Sequence, residues 1–107
     1  MRYLLSVLDT QTGEATQTEM QAINEFNAEL ESAGFWVMAA GLQHPDKAFV
    51  VTHEEGEPIA TPGPHVRTER YISGFWIIET DSADSALALA KRAAAACNRA
   101  VEVRSFL

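Results

Sequence analysis

Apolar residues fall along the chain in short runs, and the spacing within each run predicts an element. Arg2 to Leu8 is apolar and rich in β-formers, which predicts a first strand. Beyond it Met20, Ile23, Phe26 or Asn27, Leu30 and Ala33 recur every third or fourth position, with Glu25, Glu29 and Glu31 off that stripe. This is the pattern of an amphipathic helix. Thr16 with Glu19, or Thr18 with Gln21, has the spacing of a capping box at its start. Gly34 supplies the residue best able to take a left-handed cap at its end.

The run FWVMAAGL predicts a second strand, stopped by His44-Pro45-Asp46. AFVVTH predicts a third, EEGEP a tight acidic turn, and YISGFWIIE a long later strand. Asp81 to Asp84 can cap a second helix, with Ala83, Leu87, Ala90, Ala94 and Cys97 assigned to its inner side. The closing run AVEVRSFL alternates, Val101 and Val103 opposite to Glu102 and Arg104, as a half-buried strand does. The order is β-α-β-β-β-α-β, with the Pro-rich stretch before YISGFWIIE as a partner for the third strand.

Two helices among antiparallel strands predict an α+β, ferredoxin-like sandwich with both helices on one sheet face. The opposite face, with candidates Trp36, Met38, Phe49, Phe75 and Ile77 or their strand neighbours, is too apolar to leave wet. A homodimer with its two sheets face to face covers it.

Length and composition narrow the class. The 107 residues, 47% apolar and 21% charged, fit one globular domain over residues 1–107 with a single core. No run approaches the ~20 apolar residues of a membrane span, and Asp9 interrupts the only apolar stretch near the start, which reads as a strand and not a leader. The lone Cys97 forms no internal disulfide, which agrees with a cytoplasmic setting. Eight Lys and Arg against fifteen Asp and Glu leave a net charge of −7, which disfavours a nucleic-acid partner.

Candidate chemistry concentrates in TPGPHVRTER. Thr61-Pro62-Gly63-Pro64 has the residues of a type II turn, but Pro64 lacks the N–H that would close it. The turn is therefore open, or the segment runs extended. If extended, His65, Arg67 and Glu69 share one face. A histidine such as His65 is the side chain suited to moving a proton at neutral pH. Arg67 or Arg70 can hold a carboxylate or a developing enolate by a forked pair of hydrogen bonds. The competing reading makes Arg67, Glu69 and Arg70 a surface ion-pair set worth under about 1 kcal/mol per pair. Asp9, at the end of the first strand, is a second candidate carboxylate, and His44 a further pocket-edge candidate. The spacing of His44, His53 and His65 matches no helix-borne metal site, and no nucleotide-binding or nucleophile-elbow motif is present. No cofactor is expected.

From Thr61 onward the chain, TPGPHVRTERYISGFWIIETDSADSALALAKRAAAACNRAVEVRSF, resembles the DGPF-type branch of the YCII-related proteins. That branch carries Thr-Asp-Gly-Pro-Phe, an acidic and lysine-bearing stretch, Gly-Gly-Phe/Tyr and a strand. An Asp-x-x-Glu-Ala-Leu helix and a Val-Glu-Val-Arg strand follow. FNAELESAG leading to AAGLQHP is similar as well. The resemblance implies a ferredoxin-like fold, a dimeric α/β barrel joined through its sheets, and a pocket near the dimer interface. Relatives in the wider group act on small ring compounds, isomerising lactones or removing chloride from chlorinated hydroxyquinols, and some pair a helix histidine with an aspartate. Here Pro62 replaces the branch's aspartate and His65 its phenylalanine. Arg67-Thr68-Glu69-Arg70 reverses the usual charges, and Ser73-Gly74 keeps only the second glycine. The position of the wider group's helix histidine falls near Ile23 or Asn24, so that residue is absent here.

Two functions follow as expectations. One is a homodimeric small-molecule-binding or accessory module with its pocket at the sheet and dimer interface. The other is an isomerase- or lyase-type enzyme on an acidic ring or lactone-like substrate. There His65, with Asp9, would supply acid/base chemistry, and Arg67, Glu69, Arg70 and His44 would contact the ligand.

Overall fold

The computed structural model describes residues 1–10 and 15–107, so the turn expected after Asp9 lies mainly outside the described residues. The elements in order are β1 (Arg2–Asp9), α1 (Gln17–Ala33), β2 (Trp36–Gly41), a 3-10 turn (Pro45–Lys47), β3 (Phe49–Glu54), β4 (Glu57–Pro62), β5 (Tyr71–Glu79), α2 (Ala83–Cys97) and β6 (Ala100–Ser105). Among these, β2, β5, β1 and β6 lie side by side in that order, every neighbouring pair antiparallel. Both helices cover the same face, and the fold is α+β and ferredoxin-like as expected. Among the described residues no helix is long and apolar enough to cross a membrane.

Local signals explain the boundaries. The Thr16 hydroxyl accepts from the Glu19 backbone N–H while the Glu19 carboxylate accepts from the Thr16 N–H, closing the capping box. Gly34 ends α1 at φ 81°, in the left-handed region where a Cβ would be strained. Ser82 caps α2, and Asn98 ends it at φ 53°.

The core forms where the inward residues of β1 and β5 meet the helices. Leu5, Ile78 and Leu30 are fully buried, each contributing about 1.5–3 kcal/mol. Trp76 meets Phe26 edge-on with centroids 5.6 Å apart, and its Nε1–H donates to Asn27 Oδ1 at 2.7 Å. The inner side of α2 differs from the expected one. Ala86, Leu89, Ala90, Ala93 and Cys97 are buried, while Leu87 is 48% exposed. A helix so rich in alanine carries little periodic contrast, and the single leucine chosen as a marker pointed the wrong way.

The outward face of the sheet presents Leu4, Ile77 and Met38 in one row, then Ser6, Phe75 and Ala40 in the next. Charge enters it at the edge strand β6, where Arg104 donates to Glu102 at 2.8 Å. Two residues expected on this face lie elsewhere. Trp36 pairs with Ile78 and packs against the core on the helix side, because a register shift follows it in β2. Phe49 belongs to the β3–β4 hairpin, a separate two-stranded sheet inserted between β2 and β5.

That hairpin gives the Pro-rich stretch its partner. Val50 opposes Thr61 and Phe49 opposes Pro62, so Thr61 and Pro62 run extended and form no turn. Glu55 and Gly56, at φ 50° and 84°, make the tight turn that joins the strands. The bend comes at Gly63, whose N–H donates to the Ala48 carbonyl at 2.7 Å. The hairpin stands away from the sheet, and the radius of gyration is 15.7 Å, above the ~13 Å of a compact chain of this length.

Candidate functional site

A cleft of about 870 Å³ opens on the helix side, between α1 and the end of the sheet where β1 finishes and β5 begins. Val7, Ile23 and Ala39 give it apolar wall, and Asp9, Asn24, Asn27, His44, Tyr71 and Arg99 give it polar groups. A bulge shapes this end. Val7 opposes Gly74 but Leu8 opposes Ile72, so Ser73 has no partner on β1 and Tyr71 comes opposite Asp9. Gly74 permits the close approach of β2, since a Cβ there would lie 3.0 Å from the Ala40 carbonyl oxygen.

At the floor, Arg99 ties three elements together. Its Nε donates to Asp9 Oδ2 at 2.8 Å, and its Nη1 donates to the Cys97 carbonyl at 2.7 Å and to Glu19 Oε1 at 3.4 Å. The side chains of Arg99 and Asp9 are 13% and 7% exposed. Burial opposes the Arg99 charge, but the hydrogen bond and the attraction of Asp9, with that of Glu19, outweigh it and raise its pKa above the ordinary value. Glu19 is shifted the other way. The Thr16 N–H is the main cause holding its carboxyl below the ordinary range, with Asn98 and Arg99 adding to it against some desolvation. Burial pushes the Cys97 thiol up, so this cysteine is a small core residue and not an activated nucleophile.

On the rim, His44 is held on two sides. Its Nδ1 accepts the Asp46 backbone N–H at 3.1 Å, and its ring meets Tyr71 edge-on with centroids 5.1 Å apart. Pro45 fixes the turn between His44 and Asp46, the first step of the 3-10 turn. Asp46 in turn accepts from Arg67 Nη1 at 2.8 Å, and that hydrogen bond leads the causes holding its carboxyl below the ordinary range. Both partners are well exposed, so water screens the pair and it adds little to stability.

The candidate residues from the sequence therefore separate. Asp9 and His44 line the cleft, and Arg67 joins His44 through Asp46. Arg70 borders a smaller polar cleft of about 310 Å³ with Thr16, Glu19 and Asn98. His65 and Glu69 are exposed and line neither cleft. Residues 63–70 form no strand, so the two-residue period that put His65, Arg67 and Glu69 on one face has no basis there. Among the described residues no three His, Cys, Asp or Glu side chains are grouped to hold a metal ion.

Arg99, Tyr71 and Asn27 are site residues that the pattern of the sequence did not single out. A partial signal existed for Arg99, a cation directly after a helix cap in an otherwise acidic chain. Asn27 sat on the inward stripe of α1 as an alternative to Phe26, a polar residue where an apolar one was expected.

The family model of the YCII-related domain matches residues 1–107, the whole chain. A search of the curated proteins finds no significant match.

Proposed function

The chain belongs to the YCII-related family, and from that premise we propose that it is a homodimeric small-molecule-binding or accessory module. The observation that carries the reading is the helix-side cleft, with apolar walls and polar groups held in fixed geometry by Asp46, Trp76 and Arg99. A concave, mostly apolar site with a few oriented polar groups is the usual form of a small-ligand site. The apolar outward face supports the dimer, since Met38 is exposed on it and Leu4, Ile77 and Phe75 are only half-buried. The cleft opens on the helix side of the sheet, whereas the pocket expected from the sequence lay at the sheet and dimer interface. Cys97, buried and unpaired, suits a reducing compartment such as the cytoplasm.

An enzyme built on His65 draws no support from this geometry, because His65 does not reach the cleft. An acidic ligand held by Arg67 or Arg70 draws none either. Arg67 is matched by Asp46, and Arg70 borders the other cleft.

A fragment screen read by amide NMR tests the binding site. Hits are expected to move the signals of Gly41, Tyr71 and Gly74. Hits that cluster elsewhere and leave these signals in place overturn the reading.

A further inference from the structure

Two polar side chains in the cleft are fixed by the same device. Asn27 Oδ1 accepts the Trp76 indole N–H at 2.7 Å, which sets the amide orientation and leaves its NH2 group to the cleft. His44 Nδ1 accepts the Asp46 backbone N–H, so the neutral ring carries its proton on Nε2. In each case the acceptor atom is engaged by the protein. The donor atom, Asn27 Nδ2 or His44 Nε2, has no hydrogen bond among the described residues. The cleft therefore offers oriented donors.

Its charges point the same way. The lone guanidinium lining the cleft, among the described residues, is that of Arg99, and two carboxylates already face it. Asp9 and Arg99, the charged residues that line the cleft among the described residues, offset each other, and Glu19 lies beside Arg70 in the adjoining cleft. An incoming carboxylate would meet donors but no unmatched cation, in a protein whose net charge is −7. A cation would meet N–H groups instead of acceptors.

We propose that the cleft takes an uncharged ring compound through carbonyl-type oxygens that accept from His44 Nε2–H and Asn27 Nδ2–H. The inference rests on the reading of the cleft as a small-molecule site and specifies its ligand class. Tyr71, Trp76 and the apolar wall at Val7 and Ile23 cover the ring, while the two donors choose the face that carries oxygen.

Three flat probes of one size separate the alternatives: benzamide, benzoate and benzamidine, titrated into the labelled protein at neutral pH and followed by amide NMR. Benzamide is expected to bind most tightly and to shift Gly41, Gly74 and the Asn27 side-chain amide. His44→Phe keeps an aromatic ring against Tyr71 but has no Nε2–H, and is expected to weaken benzamide about tenfold. Asn27→Asp keeps an acceptor for Trp76 but replaces the amide donor by an anion. It is expected to weaken benzamide similarly and to favour benzamidine. Retained dispersion of the spectra shows that both variants fold. Tighter binding of benzoate or benzamidine to the wild type overturns the ligand class and leaves the cleft as a site. Unchanged benzamide affinity in both variants overturns it as well. If none of the three probes moves a cleft signal at millimolar concentration, the binding reading itself falls with it.

Discussion

Arg99 Nε lies 2.8 Å from Asp9 Oδ2, joining the last residue of β1 to the residue that follows the α2 cap, 90 positions away. This pair closes the floor of the cleft, and its two side chains are nearly buried. Removing Arg99 takes away the cation that both Asp9 and Glu19 face in a nearly buried setting. Arg99→Met is therefore expected to cost about 3 kcal/mol, a fall in melting temperature on the order of 10 °C. Adding Asp9→Asn to that variant should recover part of the loss, because it removes one of the two carboxylates that faced the lost cation. Thermal denaturation of the two variants beside the wild type checks this. A loss no smaller in the double variant would show that packing of the arginine stem, not charge, is what matters.

Glu19 links stability to acid. Its folded pKa is below the ordinary 4.5, so the folded state binds a proton at Glu19 less readily than the unfolded chain does. Its contribution is complete above pH 4.5 and declines as the pH falls through the lower, folded value. Asp46 acts in the same direction, below its ordinary 3.8. Melting temperatures measured from neutral pH downward should show Glu19→Gln less stable than wild type near neutrality, with the gap narrowing in acid. A gap that stays constant across this range would mean that the carboxylate charge contributes nothing.

Much of the fold can be read from the chain because the elements are punctuated locally. Thr16 with Glu19, Gly34, and the run YISGFWIIE all mark boundaries through chemistry confined to a few residues. What escapes is whatever depends on a distant partner. Asp9 stands out as the end of a strand, but nothing near it in sequence announces Arg99. Arg67 reads as an anion holder until Asp46, 21 residues earlier, is found beneath it. The role of His44 depends on which ring nitrogen is occupied, a fact of turn geometry at Pro45 and not of residue type. For His65 the shared face was expected only if the segment ran extended, and residues 63–70 form no strand.

His65 is exposed and makes no hydrogen bond among the described residues. His65→Ala is accordingly expected to change stability by no more than about 0.5 kcal/mol and to leave the cleft signals in place. Calorimetry and an amide spectrum measure both at once. A displaced set of cleft signals would return the Pro-rich loop to the site.

At Gly74 the strands β5 and β2 leave no room for a side chain. A methyl group there would sit 3.0 Å from the Ala40 carbonyl and 3.4 Å from the Gly41 Cα, both backbone atoms with no side chain to yield. Gly74→Ala must push the strands apart at the mouth of the cleft. The expected cost is about 2 kcal/mol, with benzamide binding weakened alongside. A variant as stable as wild type would show that β2, an edge strand, moves aside freely.

The outward face gives the test of assembly. Ile77 lies at its centre, opposite Leu4 on β1 and beside Met38 on β2, and it contributes nothing to the helix-side core. In a monomer a lysine here would reach water along its aliphatic stem and cost little. In a dimer joined through its sheets it would bury an unpaired charge between two apolar faces. Sedimentation of the wild type at micromolar concentration is expected to give twice the chain mass, and Ile77→Lys the single chain mass with a folded spectrum. A wild type that sediments as a monomer removes the dimer from the proposed function. An Ile77→Lys variant that still sediments as a dimer moves the contact to another surface, for which the exposed Phe49 and Val51 of the β3–β4 hairpin are the next place to introduce a charge.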